Sequence, residues 1–205
     1  HQMKDSGAEV MVVVENFART VEQILPQTSI RHVIVTSMGE MLGLKGFLVN
    51  LMVRHVRKMV PPWRIPSALD LDQALAAGRR RGFRAPVVGL DDLAFLQYTG
   101  GTTGVAKGAM LSHRNIIANV TQAGTWISSV VRDGEEVVVT ALPLYHIFAL
   151  TANCLMFMRL GATNLLIANP RDIQDLVKQL NRHPFSILTG VNTLFNALLH
   201  DERFA

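Results

Sequence analysis

The sequence predicts an α/β fold with a mainly parallel sheet layered with helices. Short runs of β-branched residues alternate along the chain with segments of helical spacing, which is the order that βαβ units produce. Of the 205 residues, 49% are hydrophobic and 18% are charged, so the chain has enough apolar side chains to bury a core. No apolar run reaches the ~18 residues that a membrane-spanning helix requires.

The individual elements follow from the periodicity of the residues. Strands are predicted where β-branched and apolar residues cluster, at 9–15, 30–36, 93–98, 109–111, 136–142, 163–168 and 185–189. Helices are predicted where apolar residues recur every three or four positions, at 16–25, 45–60, 71–77, 113–128, 147–160, 172–181 and 193–200. Residues 61–92 are rich in Pro, Gly and Arg and are otherwise predicted to be irregular. We therefore predict two α/β subdomains, a partial one at 1–92 and a second at 93–205.

Residues that start and stop helices support these boundaries. Pro26 and Pro61 follow the first two predicted helices, and proline cannot continue a helix because it lacks a backbone donor. Ser112 is suited to cap the start of the helix at 113–128. Gly161 is suited to end the helix at 147–160.

The positive charge is concentrated in one stretch. The whole chain has a formal net charge of +4, whereas residues 31–84 contain ten Lys and Arg against three acids. A nucleic-acid-binding function is not indicated, because the net charge is small and the cations gather around one helix. In that helix, at about 45–60, the polar side is basic and consists of Asn50, Arg54, Arg57 and Lys58. Such a helix either associates with an anionic membrane surface or packs its apolar side on the domain, and the sequence leaves both alternatives open.

The cysteine and histidine content limits disulfide and metal chemistry. A single cysteine, Cys154, excludes a disulfide framework and a cysteine-rich zinc site. The seven histidines are scattered without the spacing of metal ligands, so no metal site is predicted.

The segment 98–108, YTGGTTGVAKG, carries the clearest chemical signal. Its three glycines before the lysine permit backbone conformations with positive φ and a close approach to a ligand. Its three threonines supply hydroxyl donors, and Lys107 supplies a positive charge. Clustered amide groups, hydroxyls and a lysine are the groups that bind a polyphosphate.

Two common nucleotide-binding loops differ from this segment. A Walker-type loop of a kinase or NTPase has Lys directly after Gly and opens a helix, whereas two residues separate Gly104 from Lys107 and the next element is predicted to be extended. The glycine spacing also differs from a dinucleotide-binding fingerprint. A surface hairpin without function is the remaining alternative.

The loop resembles the phosphate-binding loop of AMP-forming acyl- and aryl-CoA ligases, the adenylate-forming superfamily. Two later segments, LPLYHIFAL at 142–150 and TGVNTLFNALL at 189–199, resemble the acyl-pocket segments of that family. Together with LIANPRD at 166–172, these segments are most similar to bacterial long-chain fatty-acid–CoA ligases. In this family the commoner loop has Ser at the position of Gly101 and Pro at the position of Ala106. The long-chain bacterial branch tolerates the Gly and Ala that this sequence has at these positions.

The resemblance implies a role for each matching residue. The residues that would bind the nucleotide cofactor are Tyr98, Thr99, Gly100, Gly101, Thr102, Thr103, Gly104, Lys107 and Gly108. His146 would lie near the reacting carboxylate and, with Lys107, would be catalytic. The residues that would border the acyl substrate are Tyr145, His146, Gly190, Val191 and Thr193. His146 also fits a hydrogen-bonded loop histidine, and the turn at Gly190 fits an ordinary strand-to-helix connection.

The resemblance also implies the reaction. A long-chain fatty acid and ATP would form an acyl-adenylate and pyrophosphate, and coenzyme A would then displace AMP, with Mg²⁺ held mostly by residues outside this chain. We expect a cytoplasmic protein that contacts the inner face of the cytoplasmic membrane peripherally, and the sequence leaves a homodimer open. A membrane-association module without catalysis is the alternative. The family's later motifs are absent from the sequence, so we expect an internal piece of a longer ligase that is inactive alone.

Overall fold

The computed structural model describes residues 1–100, 104 and 106–204 of the chain. The predicted α/β class is confirmed, since two parallel three-stranded sheets and their flanking helices make up most of the described chain. The chain divides into two compact units, His1–Val88 with Tyr98–Ala109 and Gly89–Gln97 with Met110–Ala205. The subdomain division that the sequence places at residues 92 and 93 stays a prediction.

The first unit is built on a parallel sheet with the strand order β1–β2–β3. Its elements are α1 (Gln2–Asp5), β1 (Val10–Val14), a 3₁₀ turn (Glu15–Phe17), α2 (Ala18–Ile24), a second 3₁₀ turn (Leu25–Gln27), β2 (His32–Thr36), α3 (Gly43–Leu51), a π-helical turn (Met52–Val56), β3 (Leu69–Asp70) and α4 (Leu71–Arg81). Its core forms on one side of β2, where Val33 and Val35 pack against Val21 of α2 and against Ile65. Alternation along β2 places these two valines on the same face of the sheet.

Two helices of this unit differ in length from their predictions. The helix predicted at 45–60 is α-helical only over Gly43–Leu51 and continues as the π-helical turn Met52–Val56. Lys58 then has a φ of 50°, which ends the helix before the prolines. The helix predicted at 71–77 extends to Arg81, because three arginines in its last turn interact favourably with the helix dipole.

The turn between β2 and α3 is held by a polar network. Glu40 Oε2 accepts hydrogen bonds from the backbone N–H and the hydroxyl of Ser37, at 3.0 and 2.8 Å. Asn50 of α3 accepts from the backbone N–H of Gly39 at 2.7 Å and donates to the hydroxyl of Ser37 at 2.8 Å. These bonds fasten the last turn of α3 to the turn that follows β2.

This network makes the stability of the protein depend on acid pH. Two hydrogen bonds from Ser37 lower the pKa of Glu40 below its ordinary value of 4.5, and the bond from the backbone N–H has the larger effect. A lowered folded-state pKa contributes stability that is fully present above about pH 4.5 and is lost as the pH falls through the folded-state pKa. We expect Glu40→Gln to be less stable than the wild type at neutral pH and the difference to shrink toward pH ~3. Urea unfolding at a series of pH values measures the free energy of unfolding of both proteins. Ser37→Ala should give a smaller change of the same sign. A difference between Glu40→Gln and the wild type that stays constant with pH would contradict the role of this carboxylate.

The second unit is built on a parallel sheet with the strand order β7–β6–β8. Its elements after the hairpin described below are α5 (His113–Ile127), β6 (Val137–Thr140), a π-helical segment (Ala149–Met156) continued by α6 (Phe157–Arg159), β7 (Thr163–Leu166), α7 (Ile173–Arg182), β8 (Ile187–Thr189) and α8 (Asn192–Leu199). The predicted helix start at Ser112 is confirmed, since its hydroxyl accepts from the backbone N–H of Asn115 in a capping box.

No helix in the described part of the chain is long and apolar enough to cross a membrane.

The central strand β6 divides this unit into three layers. Val138 packs with Val120 of α5 and with Phe157, whereas Val139 packs with Leu176 of α7 and Leu198 of α8. Successive side chains of a strand point to opposite faces, so β6 is covered on both sides. In the sequence, a strand that is buried on both faces is a continuous run of apolar residues, and VVV at 137–139 is such a run.

Candidate functional site

The glycine-rich segment connects two paired strands, β4 (Leu93–Thr99) and β5 (Lys107–Ser112). Only seven residues lie between them, too few for a parallel crossover, so the pair is a hairpin. The element after the loop is therefore a strand, as expected, and not the helix that a Walker-type loop opens. Residues 98–109 group with the first unit, whereas the other residues of both strands group with the second.

The base of the loop is braced by Tyr98. The phenol donates a hydrogen bond to Asp5 Oδ2 at 2.6 Å, and this bond raises the pKa of Tyr98. A Cβ added to Gly108 would lie 3.0 Å from the Tyr98 ring, so glycine lets the ring lie against the backbone of β5. The hydroxyl of Tyr98, predicted to serve a cofactor, is engaged by a carboxylate in this structure.

The described residues at the hairpin tip present suitable groups for an anion. Lys107 is the first residue of β5, is exposed, and forms no ion pair among the residues that the structure describes. Thr99 and Gly100 are exposed as well. Gly104 has a φ of 89°, a conformation that favours glycine. Three other predicted cofactor-binding residues, Gly101, Thr102 and Thr103, lie outside the described residues.

His146 lies in the second unit, on the turn between β6 and the helix that follows. Its ring Nδ1 accepts a hydrogen bond from the backbone N–H of Phe148 at 3.3 Å, and its backbone N–H donates to the carbonyl of Pro143 at 2.9 Å. Because Nδ1 accepts, the neutral ring carries its proton on Nε2. His146 is exposed, as is the neighbouring Tyr145, whose carbonyl accepts from Gln97. The histidine thus presents a hydrogen-bond donor to its surroundings.

Two of the other predicted substrate residues line a cavity at the carboxyl ends of β6, β7 and β8. This cavity has a volume of about 430 Å³, and Val191 and Thr193 form part of its wall. Gly190 precedes them, and a Cβ there would lie 2.9 Å from Leu194 Cδ2. Ligands of open α/β sheets bind at this edge. Arg171, which the sequence analysis did not single out as a site residue, also lines this cavity.

A second cavity in this unit is mostly apolar. It measures about 380 Å³, and the residues that line it are Ile127, Val130, Val131, Phe148, Ala152, Met156, Phe157, Ser186, Ile187 and Thr189. It lies between the helical segment 147–159 and β8, whose first and last residues both line it. An apolar cavity of this kind suits an aliphatic chain better than a polar ligand.

A buried asparagine holds the wall of this cavity, and sequence reasoning missed it. Asn153 is fully buried, and its Nδ2 donates to the carbonyl of Val139, to Thr140 Oγ1 at 3.2 Å and to Thr189 Oγ1. Thr140 in turn donates to Asn164 Oδ1 at 2.7 Å, so one polar network joins all three strands of the sheet. The available signal was an asparagine in the run 147–157, in which Thr151 is the other polar residue.

Replacing Asn153 by Ala should destabilise the protein by about 2–3 kcal/mol, because it leaves buried hydrogen-bonding groups without their partner. Chemical denaturation measures the change in the free energy of unfolding. Asn196→Ala, at an exposed position of α8, is the matched control and should change it by less than about 0.5 kcal/mol. Equal effects of the two substitutions would contradict the structural role of the network.

Comparison with known proteins places this chain among characterised families. A family model described as AMP-binding enzyme matches residues 1–205. The long-chain-fatty-acid–CoA ligase of Salmonella typhimurium is 54% identical over 205 residues, covering 100% of this chain and 36% of that protein. The corresponding ligase of Haemophilus influenzae is 52% identical over 99% of this chain and 37% of its own length. The chain thus spans about a third of the length of these relatives.

A solved structure supports the fold. The crystal structure of an anthranilate CoA ligase in complex with anthranoyl-AMP superposes with a TM-score of 0.73, covering 98% of this chain and 34% of that one. The two sequences are 18% identical, so this likeness concerns the fold alone.

Proposed function

Because the chain belongs to the family of AMP-binding enzymes, we propose that it is part of an ATP-dependent, AMP-forming long-chain fatty-acid–CoA ligase, the parent ligase. The parent ligase joins a fatty acid to ATP, giving an acyl-adenylate and pyrophosphate, and then transfers the acyl group to coenzyme A with release of AMP. The observation that carries this proposal is the 54% identity, over the whole chain, to a ligase of that name. No comparison supports a membrane module without catalysis.

The hairpin tip is proposed to bind the phosphates of ATP. Lys107 provides a positive charge free of ion pairs within the described chain, and Thr99 and Gly100 provide an exposed hydroxyl and amide. These groups stabilise the negative charge that develops on departing pyrophosphate, which is the main catalytic task in this chemistry. The same role for Gly101, Thr102 and Thr103 rests on the family resemblance.

The second unit is proposed to bind the fatty acid. His146 would donate its Nε2 proton to a carboxylate oxygen, since Nδ1 is already occupied as an acceptor. The apolar cavity beside the helical segment 147–159 would take the aliphatic chain. Tyr145, Gly190, Val191 and Thr193 would border the acyl group, and two of them line the cavity at the carboxyl ends of the strands.

The remaining co-substrates and partners are proposed from the family. Coenzyme A supplies the thiol, and Mg²⁺ accompanies the phosphates of ATP. The described residues include no group of three or more His, Cys, Asp or Glu placed to hold a metal ion. A cytoplasmic location with peripheral contact to the inner face of the membrane, and a homodimer, stay predictions.

The reaction class is tested by the products of the parent ligase. With palmitate, coenzyme A and ATP labelled at the α-phosphorus, we expect AMP to form in step with acyl-CoA and only when all three substrates are present. Formation of ADP would overturn the proposal, because a kinase breaks the other phosphoanhydride bond.

Residues 1–205 alone should be unable to complete either half-reaction, because they span about a third of the relatives' length and contain none of the family's later motifs. The purified chain, assayed beside the parent ligase under the same conditions, should form no acyl-CoA. Any fatty-acid-dependent acyl-CoA formation by the chain itself would contradict this expectation.

A further inference from the structure

Two elements form much of the wall of the apolar cavity of about 380 Å³. The helical segment 147–159 contributes Ala152 and Met156, and β8 contributes Ile187 and Thr189. The width of the cavity therefore depends on how far apart these two elements lie.

One buried side chain joins the two elements directly. The Nδ2 of Asn153, on the helical segment, donates a hydrogen bond to Thr189 Oγ1 at 2.5 Å. It also donates to Thr140 Oγ1 at 3.2 Å and to the carbonyl of Val139, so the segment is tied to β6 as well. Asn153 is fully buried, and in the low dielectric of an interior such a network rigidifies the elements that it connects.

Two further features of Asn153 favour a functional role beside the structural one. Its Oδ1 is buried and has no hydrogen-bond partner among the described residues, which costs free energy. The helix around it is π-helical over Ala149–Met156, a rare form that is frequent at functional sites.

From these contacts we propose that Asn153 is a positioning residue for the fatty acid. Its bond to Thr189 fixes the distance between the helical segment and β8, and thereby the fit of the aliphatic chain between them. The same bond fastens the end of β8 directly before Gly190 and Val191, which are proposed to border the acyl group. The inference rests on the proposed function, in which this cavity takes the aliphatic chain.

Thr189→Val in the parent ligase tests this bond, since valine has nearly the shape of threonine but cannot accept a hydrogen bond from Asn153. We expect kcat/KM for palmitate to fall about fivefold, the factor that corresponds to about 1 kcal/mol, a typical net contribution of one hydrogen bond. The value for decanoate should fall less, because a shorter chain fills less of the cavity, and the KM for ATP should stay the same. Thr189→Ser keeps the hydroxyl and should retain more activity toward palmitate than Thr189→Val.

The matched control is Thr140→Val. Thr140 is 2% exposed, accepts from the same Nδ2 and lines neither of the two cavities described above. Its replacement therefore disturbs the network but leaves the link to β8 in place. Thr140→Val should lower the melting temperature at least as much as Thr189→Val does, whereas only Thr189→Val should reduce the preference for palmitate over decanoate.

A loss of palmitate preference that is confined to Thr189→Val supports the proposal. An equal loss in both variants would mean that activity follows stability alone and would overturn it, as would an unchanged preference in Thr189→Val. Higher activity toward palmitate in Thr189→Val than in Thr189→Ser also overturns it, because apolar contact with the chain alone would produce that order. A wild-type parent ligase that forms no acyl-CoA would contradict the ligase proposal and this inference with it. All the other results require an active wild type, so the two failures are distinguishable.

Discussion

Replacing Lys107 by Ala should lower the rate of acyl-adenylate formation by the parent ligase roughly 100-fold, the size expected when one charge-stabilising donor is removed from a transition state. Lys107 begins β5 at the tip of the hairpin and forms no ion pair within the described chain, so its charge is free to meet a phosphate. We expect the affinity for ATP to fall less than the rate, because the charge on pyrophosphate grows as the bond breaks. Single-turnover measurement of adenylate formation gives the rate.

Two variants separate this role from a general effect of charge. Lys107→Arg keeps the positive charge and should retain more activity than Lys107→Ala. Lys178→Ala removes an exposed lysine from α7 and should leave the rate unchanged. Wild-type rates in Lys107→Ala would contradict the role assigned to this residue.

Replacing Gly46 by Ala has the largest expected effect on stability. A Cβ at this position would overlap the carbonyl oxygen of Gly39, and a backbone atom cannot move aside as a flexible side chain does. We expect a loss of about 3 kcal/mol in the free energy of unfolding, equivalent to a melting temperature roughly 10 °C lower.

Gly78→Ala is the matched control within the same unit. Gly78 also lies in a helix, α4, but nothing lies within 4 Å of a Cβ built there. Alanine should stabilise the protein at this position by about 0.5–1 kcal/mol, since it restricts the unfolded chain. Effects of the same sign at both glycines would contradict the close packing of α3 on the turn before it.

Much of the fold could be predicted from the sequence because local patterns decide it. The run VVV of β6, the capping residue Ser112 and the strand after the glycine-rich loop each follow from a few neighbouring residues. The length of α4 was missed because its last turn consists of arginines, which the apolar periodicity does not count.

The orientation of α3 could not be predicted from periodicity. A helical pattern shows which residues share a face, but it does not show which face turns inward. Here a contact between Gly39 and Gly46 and the ion pair of Arg54 with the buried Glu15 decide the orientation. The ion pair joins residues that are far apart in sequence, and the glycine contact depends on how the turn before α3 folds back. The network of Asn153 was also missed, since Asn153 bonds residues of β6 and β8 and reaches Asn164 of β7 only through Thr140.

The central claim is that this chain carries the phosphate-binding hairpin of an enzyme that activates fatty acids through an adenylate. Isotope exchange between labelled pyrophosphate and ATP tests it most directly, because the exchange requires reversible adenylate formation and no coenzyme A. In the parent ligase we expect label to enter ATP only when a long-chain fatty acid is present, and to do so far more slowly in Lys107→Ala. An enzyme that forms acyl-CoA without any fatty-acid-dependent exchange, or exchange that is unchanged in Lys107→Ala, would contradict the account.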